Sequence, residues 1–237
     1  MDEQKQDQNP PKRLYELNSR QTIETIQRLL DRGIKSMAVI IRHSDRHYHK
    51  DPMMEPFMGL NDTGKTYAFD MGKAFPDLEP RLFASHFGRC IESAYLIDKG
   101  YTFARGGSLP HTETCDLLTP FYIKDIKKAL DIMIKTGSRT FIRSWFNHDI
   151  ASDIMEDPLK TADMLTGFMK EKLSQVSENQ IAVCVSHDWN VYPIREFKLG
   201  LTHEDAGDVG YLDGIVFYEE KGQVFAVSRQ TQDPVAV

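Results

Sequence analysis

Short apolar runs alternate along this chain with longer stretches of helical spacing. Met37-Ala38-Val39-Ile40-Ile41, Leu82-Phe83-Ala84 and Ile181-Ala182-Val183-Cys184-Val185 are continuous rather than alternating. Such runs belong to strands covered on both faces. They predict strands over 36–41, 81–85 and 181–186, and His111 to Cys115 reads as a further short one. Gly214 to Tyr218 and Val224 to Val227 flank a turn at Gly222 and predict a hairpin.

Helical spacing fills the intervals. From Ser19, the residues Ile23, Ile26, Leu29 and Leu30 share a face until Gly33. Asn61 or Asp62 caps a helix carrying Ala68, Met71 and Phe75, ended by Pro76. Residues 87–99 form a helix that Gly100 is expected to end. Ile123, Ile126, Leu130 and Ile134 form a stripe broken at Gly137. Asp157-Pro158 opens another helix, with the stripe Leu159, Ala162, Leu165, Met169 and Leu173. The last runs through Ile194, Phe197 and Leu199.

Strands alternating with helices predict an α/β fold: a mostly parallel sheet with helices on both faces. The stretch 121–176 is too long for one crossover and reads as a helical insertion beside the site. Residues 1–14 are polar and read as a flexible N-terminal tail, leaving 15–237 as a single domain. Residues 47–59 have no period and read as a loop near the site. Within it, Met53-Met54-Glu55-Pro56-Phe57-Met58 is read as loop packing, with contact to an apolar part of a ligand as the sharper alternative. Asp205 and Asp208 read as turn residues.

Composition narrows the function classes. Apolar residues make up 41% and charged residues 27%, as in ordinary globular proteins. The net charge of −6 disfavours nucleic acid as a partner. There is no apolar run of membrane-span length and no apolar leader, so no membrane partner is expected. Cys90, Cys115 and Cys184 are too few and too scattered for a disulfide framework, which points to the reducing cytoplasm.

The chemistry gathers where strands end. The first run leads into Arg42-His43-Ser44-Asp45-Arg46, the second into a turn carrying Arg89, and the third into His187-Asp188. In an open α/β sheet, ligands bind beyond the carboxyl ends of the strands. Three such ends bearing arginines and imidazoles would converge on one anion. Arginine suits phosphoryl oxygens because its planar fork pairs two at once. A neutral imidazole is nucleophilic near pH 7. Its second ring nitrogen should donate to a backbone carbonyl, which fixes the tautomer. His43, His47 and His49 also invite a metal reading, but the interleaved Arg42 and Arg46 would repel a dication.

Together these residues resemble the histidine phosphatase superfamily, which includes the phosphoglycerate mutase-like enzymes and the histidine acid phosphatases. Arg42-His43-Ser44 stands for its Arg-His-Gly. Leu60-Asn61-Asp62-Thr63-Gly64 with Ala68 and Gly72 is similar to its second motif. Ser85, Arg89, Ser93 and Ala94 match its third, and Ser186-His187 its last. The four lie in order over residues 36–190. The resemblance implies a phosphoglycerate mutase-like fold and a metal-independent phosphomonoester hydrolase with a phosphohistidine intermediate. It makes His43 the nucleophile and places Arg42, Arg46, Arg89 and His187 on the phosphoryl group of a small phosphorylated substrate. Asp188 then protonates the leaving alcohol, with Glu113 as the alternative acid. No cofactor or metal is implied, because the arginines supply the positive charge.

Two departures stand out. Ser44 replaces glycine, where it either strains the backbone or offers its hydroxyl to phosphate. Asn61 replaces threonine but still caps a helix. A phosphoryl-transferring mutase and a non-catalytic phospho-ligand or partner-binding module are the alternatives to hydrolysis. Among the helices of 121–176, Arg139, Arg143, Trp145 and His148 are the candidates for a substrate-recognising cap.

Overall fold

The computed structural model describes residues 13–231 and 233–237. The expected tail over 1–14 therefore lies outside the described residues, except for Arg13 and Leu14. Those two begin helix α1 (Arg13–Asp31), which starts six residues before Ser19. The order continues with β1 (Ser36–Arg42), α2 (Asp62–Lys73), β2 (Glu79–Ala84), α3 (Gly88–Arg105), β3 (Glu113–Thr114), α4 (Ile126–Thr136) and α5 (Ser138–Phe146). Then come α6 (Pro158–Ser174), β4 (Gln180–Ser186), α7 (Asp188–Leu199), α8 (His203–Ala206), β5 (Gly214–Glu220), β6 (Gln223–Ser228) and β7 (Val235–Ala236).

The strands form one sheet in the order β3-β2-β4-β1-β5-β6-β7. β3, β2, β4 and β1 run parallel, whereas β5, β6 and β7 continue antiparallel. The expected hairpin is β5–β6. Its two-residue turn puts Lys221 at φ 54° and Gly222 at φ 78°, the double positive-φ geometry of a tight hairpin.

Period two explains the unbroken apolar runs. In β1, Met37, Val39 and Ile41 face one core with Ile26 of α1, Met71 of α2 and Ile97 of α3. Ala38 and Ile40 face the other, with Leu165 and Met169 of α6 and Val191 and Ile194 of α7. Both faces of the strand are dry, so both sets must be apolar.

Three local expectations change. Gly100 does not end α3, because it is a packing position: a Cβ there would meet the Phe69 carbonyl oxygen of α2 at 1.9 Å. Residues 121–125 and 147–156 are not helical, so the insertion is three helices joined by turns. Asp205 lies within α8, capped by Thr202, rather than in a turn. The Asp157 cap is present, its side chain accepting from the Lys160 N–H. Among the described residues no helix is long and apolar enough to cross a membrane. All three cysteines are free.

Candidate active site

Strand register brings the first and last motifs together. Arg42 pairs with Ser186 across β1 and β4. The ladder runs one residue further, with the His43 N–H donating to the Ser186 carbonyl at 2.9 Å. On the other side of β4, the Ser85 N–H donates to the Val185 carbonyl at 2.9 Å. His43, Ser85 and His187 therefore leave adjacent strands at one level. Arg89 stands in the first turn of α3 and Asp188 is the first residue of α7.

The two imidazoles meet edge to face, with ring centroids 5.6 Å apart. His43 Nδ1 lies 2.7 Å from the Ser44 carbonyl. A carbonyl only accepts, so Nδ1 carries the proton and Nε2 presents its lone pair. Arg89 donates from Nε to that Nε2 at 3.0 Å. It also donates from Nη2 to His187 Nδ1 at 3.3 Å. His187 consequently carries its proton on Nε2, which faces Ser85 Oγ at 3.0 Å.

Both histidines are buried and held well below the ordinary imidazole pKa. For His43, burial is the main cause, followed by the charges of Arg42, His187 and Arg89. For His187, burial again leads, followed by Arg89, Arg42 and Arg46. Both are neutral near pH 7. Burial also lowers the Arg89 pKa, and it pushes the neighbouring Cys90 thiol up to about 12. That thiol is inert as a nucleophile.

Two arginine–carboxylate pairs flank the imidazoles. Arg42 Nη2 lies 3.2 Å from Asp188 Oδ2, and its Nη1 donates to the Val209 carbonyl at 2.7 Å. The Arg42 guanidinium stacks 4.1 Å over the Tyr211 ring. Burial opposes its charge, but Asp188, Tyr211 and Tyr48 more than offset that and raise its pKa. Arg46 pairs with Glu55 and stacks 4.3 Å over Tyr48. The buried Nε atoms of Arg42 and Arg46 have no hydrogen-bond partner among the described residues.

These groups line a cavity of about 420 Å³ that contains Arg42, His43, Arg46, Arg89, His187 and Asp188. Six of the seven residues singled out in the sequence are therefore brought together. The seventh, Glu113, is not. It lies exposed on β3, 3.6 Å from Arg81 in an ion pair. The Ser44 hydroxyl is also absent from the cavity wall. It is fully buried and donates to the Gly64 carbonyl at 2.7 Å, tying β1 to the start of α2. Ser44 has no positive φ, so the departure from glycine causes no strain. Asn61 caps α2, its side chain accepting from the Gly64 N–H at 2.7 Å.

The sequence reading missed Glu55. It sits on a 3-10 helix, Pro52–Phe57, within the stretch read as a loop. Its carboxylate accepts from the His49 N–H at 2.8 Å, and its carbonyl accepts from Arg89 Nη1 at 3.0 Å. Nothing in that aperiodic stretch marked it. His49, Pro52, Leu130, Met133, Ser138 and Trp189 complete the wall. Arg139, Arg143, Trp145 and His148 do not line it: Arg143 is engaged by Glu196 and Glu204, and Trp145 is buried in the core. His47 and His49 are exposed while His43 is buried. Among the described residues no group of three His, Cys, Asp or Glu side chains is placed to hold a metal.

No protein-family model matches the chain. No curated protein matches its sequence. Solved structures do match its fold. YhfR of Bacillus stearothermophilus superimposes with a TM-score of 0.55 at 15% identity, over 81% of this chain and 95% of that one. The fold is that of the histidine phosphatases. A phosphoglycerate mutase from Bacillus anthracis shares this fold at a TM-score of 0.52 and 14% identity, over 81% of this chain and 92% of the other. A mycobacterial glucosyl-3-phosphoglycerate phosphatase does so at 0.51 and 15%, over 77% and 89%. The shared fold thus accounts for most of the chain.

Proposed function

We propose that the chain is a cytoplasmic histidine phosphatase, a metal-independent phosphomonoesterase with a phosphohistidine intermediate, formed by residues 15–237. The observation that carries this reading is the neutral His43 ring. Its Nδ1 proton is committed to the Ser44 carbonyl and its Nε2 lone pair faces a cavity lined by three arginines. Free thiols suit the reducing compartment.

In this reading Arg42, Arg46, Arg89 and His187 hold the phosphoryl oxygens: the phosphate draws Arg89 off both imidazoles, and His187 moves its proton to Nδ1 to donate to an oxygen while the Ser85 hydroxyl donates to Nε2. His43 Nε2 attacks phosphorus in line, forming N–P as the ester P–O bond breaks. Asp188, displaced from Arg42 by the incoming phosphate, takes the proton of the phosphomonoester monoanion and gives it to the leaving oxygen. Water then attacks phosphohistidine, passes a proton to the Asp188 carboxylate and releases phosphate.

The test is hydrolysis of p-nitrophenyl phosphate in excess EDTA. Turnover should resist the chelator. His43→Ala should abolish it, and Asp188→Asn should slow it by roughly 10²–10⁴-fold, the ordinary contribution of a general acid. A nearly silent Asp188→Asn would move the acid to Glu55, the other carboxylate of the cavity. Activity surviving in His43→Ala would sink the mechanism. Transfer of the phosphoryl group to a second substrate hydroxyl would make the chain a mutase. Tight phosphate binding with no turnover would make it a binding module.

A further inference from the structure

Helix α4 packs only part of its apolar surface, with Ala129, Ile132 and Met133 against the core. An apolar stripe ordinarily packs into the core. Here Ala129 is the one residue of α4 that is fully buried. Leu130 is half-buried, and Ile134, one turn on along the same face, is 63% exposed. Across from them, Met53 on the 3-10 helix is 54% exposed. Between the two elements lies a second cavity of about 370 Å³, whose apolar wall is Pro52, Met53, Leu130 and Ile134. Lys127 and Asp131 lie one helical turn apart on its rim.

This cleft adjoins the candidate active site. Pro52 and Leu130 line both cavities. The two cavities thus meet at Pro52 and Leu130, on the side toward which the alcohol of an ester bound at His43 would extend. Apolar side chains left in water gain when an apolar ligand covers them. A sugar or other polyhydroxy alcohol would lose hydration there with no such gain.

We propose that the cleft is the leaving-group subsite, and that the substrates are phosphomonoesters of apolar alcohols, with alkyl or aryl groups lying against Met53, Leu130 and Ile134. This rests on the phosphatase reading of the adjoining site.

Alkylphosphonates test it without turnover, because their P–C bond does not hydrolyse. Calorimetry would compare ethylphosphonate with octylphosphonate on the full chain. Full burial of one methylene tightens binding about fourfold. Octylphosphonate should therefore bind at least about 30-fold tighter than ethylphosphonate. Met53→Ser with Ile134→Ser should cut that ratio below about threefold while ethylphosphonate affinity holds. Both positions are exposed, so the fold should tolerate the changes. Equal affinities in the wild type would overturn the subsite and leave the phosphatase reading intact. A chain-length preference that survives the double substitution would also overturn it, since the chain would then lodge elsewhere. Failure of both phosphonates to bind would overturn the subsite and the phosphate site together.

Discussion

His43 and His187 show what a buried neutral imidazole costs and supplies. Burial and nearby arginines hold both pKa values below the unfolded value of about 6.5. Between the folded and unfolded values, the unfolded chain binds more protons than the folded one. Their contribution to stability is thus complete above about pH 6.5 and is lost as pH falls through and below it. Melting temperature in a phosphate-free buffer should decline from pH 8 to pH 5. A His43→Gln, His187→Gln chain should show a shallower decline over the same range. A matching slope in the two proteins would place the acid sensitivity in other groups. The same depression keeps His43 nucleophilic in mildly acidic solution, where an ordinary histidine would be charged.

At the scale of elements, the close crossing of α2 and α3 positions Arg89. Glycines make it possible. A Cβ on Gly72 would meet the Ile97 carbonyl oxygen at 2.1 Å, and one on Gly100 would meet that of Phe69 at 1.9 Å. Each helix thus lends a glycine to the other's backbone. Gly100→Ala should cost about 1–3 kcal/mol, the usual penalty for overpacking, read as a lower urea midpoint at unchanged slope. It should also weaken phosphate binding, because α3 carries Arg89 and Ser93, and Ser93 Oγ accepts from the Ser44 N–H at 2.9 Å. An unchanged midpoint would mean that the helices separate at little cost.

At the scale of the whole molecule, Asp213 joins the parallel and antiparallel halves. It is 1% exposed, and its Oδ2 accepts from Arg195 Nη2 of α7 and from Arg229 Nε after β6, each at 2.9 Å. Its carbonyl accepts from the Arg42 N–H at 3.0 Å. The exit of β1, which carries the catalytic candidates, is therefore tied to both halves. Asp213→Ala would leave the buried Arg195 guanidinium without its counter-charge. Loss of one partner of such a pair costs about 3–5 kcal/mol. Chemical denaturation should show that loss, and a change below about 1 kcal/mol would mean that water compensates the arginine.

Much of this was legible because short-range rules govern it. Unbroken apolar runs marked strands dry on both faces, and caps such as Asn61 and Asp157 marked helix starts. Arg42, His43, Arg89, His187 and Asp188 could be placed in one site because parallel strands end at one level. What the sequence could not decide depended on neighbours distant along the chain. Gly100 reads as a helix stop until a second helix is seen against it. Ser44 reads as a phosphate donor or a strain until the Gly64 carbonyl is seen beside its hydroxyl. Glu113 follows the third motif as the acid implied by the resemblance would, yet it stands exposed on β3 and pairs with Arg81. Glu55 has no local signature, and only the path of the 3-10 helix brings it to Arg46. Local periodicity and strand direction determined the fold and the cationic centre. Long-range packing alone decided which carboxylates reach that centre, and which apolar face of α4 stays open beside it.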